Sequence, residues 1–257
     1  LLQTHLTPYQ VYYGGENEGL FTGYYEPILR GSLKKHGRYQ TPLYKKPADS
    51  YLATLPRKDI VRGALKNKGL ELVYVDDPID AFFLQIQGSG RVQLDNGQIM
   101  HLSYATGNKQ PYTPIGRTLL EQGHLVKGRD PVTMQSIKAW LRSHPHKAED
   151  IMSTNDSYVF FKIGKNHGGP IGAQGVPLTA GRSLAVDPKF ITLGTPLWIH
   201  AHDEKIGTFQ QLMVAQDTGG AIKGAIRGDF FFGTGHAAGE KAGVFKARGS
   251  YYVLLPK

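Results

Sequence analysis

Apolar residues fall in short runs punctuated by glycine and proline, and from about residue 157 onward such runs alternate with turns, which predicts β structure. Gly19–Tyr25 reads as a strand that Glu26-Pro27 ends. Residues 30–70 are basic and weakly periodic, and Leu72–Val75 is a second strand. Asp77-Pro78 has the form of a helix N-cap with proline at the first helical position, opening Ile79–Gln87 as a short helix or a buried strand. The clearest local pattern is a hairpin made of Arg91–Leu94, the turn Asp95-Asn96-Gly97, and Gln98–Tyr104. Helices are predicted over Ile115–Gln122, stopped by Gly123, and over Pro131–Arg142 behind Asp130. Val159–Ile163 restarts β structure, and strands follow at Ser183–Val186, Pro196–His202, Phe209–Ala215 and Tyr251–Leu255. Asp187-Pro188 repeats the N-cap form, and Gly233–Gly243 has room for one short helix.

Composition adds a boundary to this pattern. A chain of 257 residues makes one or two domains and buries a core without metal or disulfide staples. Seventeen of its 32 glycines lie between Gly164 and Gly249, so a boundary is placed near residue 157. Tyr158–Lys257 holds only six carboxylates: Asp187, Asp203, Glu204, Asp217, Asp229 and Glu240. Each needs a reason in so acid-poor a segment. The formal charge of +9 is dispersed, without the basic stripe of a nucleic-acid surface, so no nucleic-acid partner is expected. It suits mild attraction to an anionic polymer. No apolar run approaches the roughly 18 residues of a membrane span. With no cysteine, thiol catalysis and zinc–thiolate sites are excluded. The pairs His144/His146 and His200/His202 lack a third ligand at metal spacing, so no metal and no cofactor are expected.

Three segments carry candidate chemistry. In Leu212–Gly224 an apolar strand runs into Asp217-Thr218-Gly219-Gly220, where Asp217 caps a turn or serves as one carboxylate of an aspartic-peptidase pair. In Arg227–Gly235 the carboxylate of Asp229 adjoins three phenylalanines. Burial against rings raises a carboxylate pKa and suits a general acid, whereas a salt bridge to Arg227 or Lys223 lowers it; residue chemistry alone leaves these two even. Asp187 has a sufficient job as a cap. Nearer the N-terminus, Phe21–Pro27 and Gln85–Gly90 join aromatic or amide side chains to glycine, a combination that suits a saccharide groove as well as ordinary barrel packing.

Taken together, Phe21-Thr22-Gly23-Tyr24-Tyr25-x-Pro27, Gln87-Gly88-Ser89-Gly90, Ser103-Tyr104-Ala105, Pro114-Ile115-Gly116, Ser157–Phe161 and Asp217-x-Gly219–Gly224 with Asp229 resemble the membrane-bound lytic murein transglycosylase A family. Asp187, Asp217 and Asp229 also resemble the signature of its three-aspartate domain. The resemblance implies a mainly β protein: a double-psi β-barrel from residues 1–28 and 157–257, an inserted β-barrel-like domain with a few helices over 29–156, and a groove between them. It implies an enzyme that cleaves the β-1,4 bond between N-acetylmuramic acid and N-acetylglucosamine of peptidoglycan without water, leaving a 1,6-anhydro end. Asp229 would be the single acid/base and Asp217 and Asp187 supporting carboxylates. Thr22, Tyr24, Asp80, Gln87, Ser89 and Lys223 would contact glycan strands. It further implies a monomer at the periplasmic face of the outer membrane, lipid-anchored in a full-length precursor of which this chain is expected to be a processed form. Two alternatives stay open at this point: a non-catalytic, expansin-like wall-binding barrel and a dimeric aspartic peptidase.

Overall fold

The computed structural model describes residues 2–165 and 168–257. Thirteen strands run through the described residues: β1 (Leu6–Gln10), β2 (Gly19–Glu26), β3 (Ile28–Ser32), β4 (Thr41–Tyr44), β5 (Glu71–Val75), β6 (Gly90–Leu94), β7 (Ile99–Gly107), β8 (Val159–Ile163), β9 (Ser183–Ala185), β10 (Pro196–Asp203), β11 (Gly207–Asp217), β12 (Arg227–Thr234) and β13 (Lys246–Pro256). They fall into two sheets, and the chain into two compact units, Leu1–Tyr25 with His167–Lys257, and Glu26–Asn166.

The first unit is a nearly closed barrel. Its seven strands are ordered β1-β13-β10-β11-β9-β12-β2, and β13 pairs again with β2, so the sheet returns on itself. Closure removes the exposed edges that an open sheet must otherwise protect. Strand β10 shows how the pattern builds the wall: Leu197, Ile199 and Ala201 are buried, while Trp198, His200 and His202 alternate outward. The inward set meets Phe21, Leu184, Met213, Phe230 and Tyr251 in one core. Glycine lets neighbouring strands approach. A Cβ on Gly249 would stand 2.2 Å from the His200 carbonyl oxygen, across the β10–β13 pairing.

The second unit carries a six-stranded sheet, β4-β5-β3-β6-β7-β8. Helix Pro78–Gln87 starts as its sequence predicts, with the Asp77 carboxylate accepting from the backbone N–H of Ile79 and Asp80. Its Leu84 packs on Val73, Val92 and Phe161 of the sheet, while Phe82 and Phe83 meet Leu119, Leu141 and Ile151 of the later helices. Buried Arg57 ties this unit together, donating to the Asn155 carbonyl and to Gln85 Oε1, with its guanidinium over the rings of Phe82 and Tyr158.

Several sequence expectations need correction. The strand at 159–163 pairs with β7, so it belongs to the second sheet rather than to a barrel beginning at 157. Its buried Phe160 and Phe161 fill the second unit, and the glycine-rich stretch starts just after it. The helix expected from Pro131 begins at Met134, because Thr133 and Ser136 form a reciprocal cap while Asp130 binds the Val126 N–H. His144 and His146 flank the start of a helix, Pro145–Ser153, that the sequence reading missed. The segment 187–190 makes one turn rather than a helix: Asp187 caps it through the Lys189 N–H, and the turn goes no further. Arg227–Thr234, read only as an aromatic and glycine segment, is the strand β12.

These contacts predict a contrast between two glycines. Gly249→Ala should destabilise the protein by about 2 kcal/mol or more, because backbone must move. Gly220→Ala, with nothing within 4 Å of the new Cβ, should stay within about 0.5 kcal/mol. Thermal or denaturant unfolding of the two variants checks this, and equal effects would contradict the packing account.

Candidate active site

Three strands of the barrel bring chemistry to one place. Strand β9 lies between β11 and β12, and its Ala185 stands opposite both Asp217 and Asp229. With about 4.8 Å between neighbouring strands, the two aspartates sit roughly 10 Å apart at their Cα atoms, on either side of Ala185. Strand β2 then supplies Thr22 and Tyr24. Alternation along β12 sorts its aromatics: Phe230 and Phe232 pack with the barrel core, while Phe231, on the Asp229 side, meets the Tyr24 ring at 5.3 Å. Only one of the three rings next to Asp229 in sequence therefore shares its face. Gly228 allows this close wall, because a Cβ there would stand 2.8 Å from the Phe21 ring.

The hydrogen bonds give each group its partners. Thr22 Oγ1 donates to Asp229 Oδ1 at 2.6 Å, and Arg227 Nη2 donates to Thr22 Oγ1 at 2.7 Å. Tyr24 donates its hydroxyl to Asp217 Oδ2 at 3.0 Å, and the Ala173 N–H donates to Asp217 Oδ1 at 3.0 Å. No hydrogen bond joins the two carboxylates, so one chain does not form the shared-proton pair that a peptidase reading needs.

Burial dominates the titration of Asp229. It pushes the carboxyl up to about 6, against the Thr22 hydrogen bond and the Arg227 charge, and the nearby Asp217 adds to the rise. The salt-bridge alternative is thus present as a weaker opposing influence, acting through a hydroxyl rather than by direct contact. Asp217 is also raised by burial, although the N–H groups of Thr218 and Ala173 and the Tyr24 hydroxyl oppose it. Burial and the two carboxylates hold the Tyr24 hydroxyl well above its ordinary range, so it remains a donor.

The other expected residues divide. Asp187 accepts from the N–H of Gly224 at 2.9 Å and of Lys189, latching the 218–224 loop, and these bonds lower its pKa. Lys223 is exposed and its charge also favours ionised Asp187. Asp80, Gln87 and Ser89 belong to the second unit, where Asp80 is ion-paired to Lys138 and Arg142. Sequence reasoning saw Arg227 only as an ion-pair partner and missed Ala173, whose backbone amide leaves no sequence signal. Among the described residues, no group of three His, Cys, Asp or Glu could hold a metal ion, and no helix is long and apolar enough to cross a membrane.

A barrel wall that holds a carboxyl raised by burial has the form of an enzyme site, and comparison with known proteins gives its class. Residues 20–162 match the MltA specific insert domain and residues 182–255 match the 3D domain. The membrane-bound lytic murein transglycosylase A of Escherichia coli is 34% identical over 253 residues, covering 94% of this chain and 67% of that protein. Among solved structures, a membrane-bound lytic murein transglycosylase from Agrobacterium tumefaciens is 33% identical with a TM-score of 0.89, covering 99% of this chain and 77% of that one. E. coli MltA with bound chitohexaose is 32% identical with a TM-score of 0.85, covering 93% and 72%. The lytic transglycosylase LtgG of Burkholderia pseudomallei reaches 45% identity with a TM-score of 0.71, covering 100% and 78%. The chain belongs to the membrane-bound lytic murein transglycosylase A family, and so to the peptidoglycan-cleaving lyases.

A stability measurement tests the electrostatics independently of any reaction. An unfolded aspartate titrates near about 3.9, below the folded value of about 6. The stabilisation held by the neutral carboxyl is therefore complete below pH ~4 and is lost as pH rises to ~6. Asp229→Asn removes that loss. The variant should match wild type near pH 4 and exceed it by up to about 3 kcal/mol above pH ~7 in thermal unfolding. A variant less stable than wild type at pH 8 would reverse the assignment of burial as the dominant influence.

Proposed function

We propose that this chain is a lytic transglycosylase of murein in which Asp229 is the single acid/base. The observation that carries this reading is the Asp229 carboxyl on the barrel wall, with one oxygen held by Thr22 at 2.6 Å and, among the described residues, no hydrogen bond on the other; burial pushes it up to about 6. Its proton goes to the glycosidic oxygen between N-acetylmuramic acid and N-acetylglucosamine as the C1–O bond breaks. The carboxylate then takes a proton from the muramic acid C6 hydroxyl while O6 bonds to C1, closing a 1,6-anhydro ring. No water is consumed and Asp229 ends as it began. One carboxylate suffices because the nucleophile is tethered within the substrate, whereas hydrolases of glycosides generally use two.

In this reading Asp217 is a supporting carboxylate beside the developing positive charge, oriented by Tyr24. Asp187 supports the site by holding the loop of Gly219 to Gly224, and Lys223, Asp80, Gln87 and Ser89 contact the glycan strand. Binding of glycan chains draws support from the E. coli relative that holds chitohexaose. The membrane-bound relatives support a membrane-associated place in the periplasm, which we assign to the outer membrane through a lipid anchor on a monomer.

Digestion of purified murein sacculi by wild type and by Asp229→Asn, with products read by mass, tests the proposal. Wild type should release anhydro-muropeptides, and the variant should lose at least about 100-fold in rate. Because the acid must start protonated, the wild-type rate should fall as pH rises through about 6. Products carrying an added water would make the enzyme a muramidase, and binding without products would favour a wall-binding barrel.

A further inference from the structure

The Thr22 hydroxyl has one proton and two neighbours that compete to define where it points. Arg227 Nη2 stands 2.7 Å from Thr22 Oγ1, and Asp229 Oδ1 stands 2.6 Å from it on the other side. A guanidinium has donors only, so Thr22 must accept from Arg227 and spend its own proton on Asp229. Arg227 is itself pinned, because Nη1 donates to the carbonyl oxygens of Leu20 on β2 and Gly228 on β12. The chain of donors thus runs one way, from Arg227 through Thr22 to Asp229 Oδ1. Asp229 as a residue is half-buried, and among the described residues its Oδ2 receives no hydrogen bond.

We propose that Arg227 is a positioning residue for the acid: its donor-only fork sets the Thr22 hydroxyl as donor to Oδ1 and so leaves Oδ2 as the oxygen that exchanges the proton with substrate. This rests on the assignment of Asp229 as the acid. Neutral Asp229 carries its proton on Oδ2, since Oδ1 already accepts. After transfer, the carboxylate keeps the Thr22 bond on Oδ1, and Oδ2 is the free acceptor for the returning proton. Without Arg227, the Thr22 hydroxyl can turn and accept from the acid, which would divert the reacting proton into the protein. The charged and titratable groups facing Asp229 are Arg227 on its own strand, Asp217 from β11 and Tyr24 from β2; the β9 neighbour Ala185 is uncharged.

The test uses the full chain with two readouts, the Asp229 carboxyl titration by carbon-13 NMR and kcat and KM on sacculi. Arg227→Met should lower kcat about tenfold with KM within about twofold, and should move the Asp229 titration upward, since a favourable charge is lost. In a Thr22→Val background, adding Arg227→Met should cost less than about twofold more, because the relay is already cut. Arg227→Lys, which can only donate, should keep more of kcat than Arg227→Gln, whose carbonyl can turn the hydroxyl round; this pair decides the matter if Arg227→Met does not fold. Equal losses in Lys and Gln variants, or an Arg227→Met cost that is the same with and without Thr22, would overturn the proposal. If wild type releases no murein product, or Asp229→Asn still does, the acid assignment fails instead, and the NMR titration still reads whether Arg227 acts on Asp229.

Discussion

A hydroxyl near the start of the chain meets a carboxylate 207 residues later, and the site depends on that one hydrogen bond between Thr22 and Asp229. It forms only because β2 closes the barrel, lying beside β12 and pairing with β13. The glycines that make the wall thin serve the same end. Gly228 lets Phe21 lie against the strand that carries Asp229, and Phe21 in turn meets Phe230 and Tyr251 edge-on in the core. Core packing on one face of β2 and β12 therefore sets the distance between Thr22 and Asp229 on the other. Because strand residues alternate faces, a shift of one residue in either strand would send that strand's side chain, Thr22 or Asp229, into the core.

Closure also decides the protonation state. Desolvating an ionised carboxylate costs several kcal/mol, while one hydrogen bond to a charged group returns about 1.5–3 kcal/mol. Thr22 and Arg227 together oppose burial without cancelling it, and the carboxyl settles at about 6. The arrangement keeps the opposing influences weak by design of geometry: the Arg227 charge reaches Asp229 through an intervening hydroxyl, and no direct ion pair forms between them. A direct fork on both oxygens would have produced an ordinary ionised aspartate, chemically inert as an acid near neutral pH.

Much of the local structure was legible because its signals are local. The hairpin through Asp95-Asn96-Gly97, the cap at Asp77-Pro78 and the alternation in β10 each follow from a few adjacent residues. The scarcity of carboxylates after residue 158 was enough to single out Asp217 and Asp229. Sequence failed where partners are distant. Whether Asp229 faces rings or a cation is decided by β2, and the expected trio of phenylalanines is split by strand alternation, which sends Phe230 to the core and Phe231 to Tyr24. The boundary slipped because β8 is apolar enough for either sheet, and only its pairing with β7 places it. A capping signal misled at Asp130, whose side chain satisfies the Val126 N–H instead of starting a helix, while Asp187 caps the Lys189 N–H of a turn that stops after one round.

The two aspartates flanking Ala185 show how one wall holds carboxylates for different tasks. Asp217 accepts from the N–H of Ala173 and Thr218 and from the Tyr24 hydroxyl, so its ionised form is well supplied with donors, and burial raises it only in part. Among the described residues Asp229 has a single donor, Thr22, and it rises further. Tyr24 reinforces the division. Its own hydroxyl is held protonated by burial and by both carboxylates, so it donates to Asp217 and does not compete for the proton of Asp229. A site with one proton to lend needs one carboxyl that can release it and another that stays an acceptor. The richer donor supply of Asp217, against the single Thr22 bond on Asp229, supports that proposed division without appeal to position in any motif.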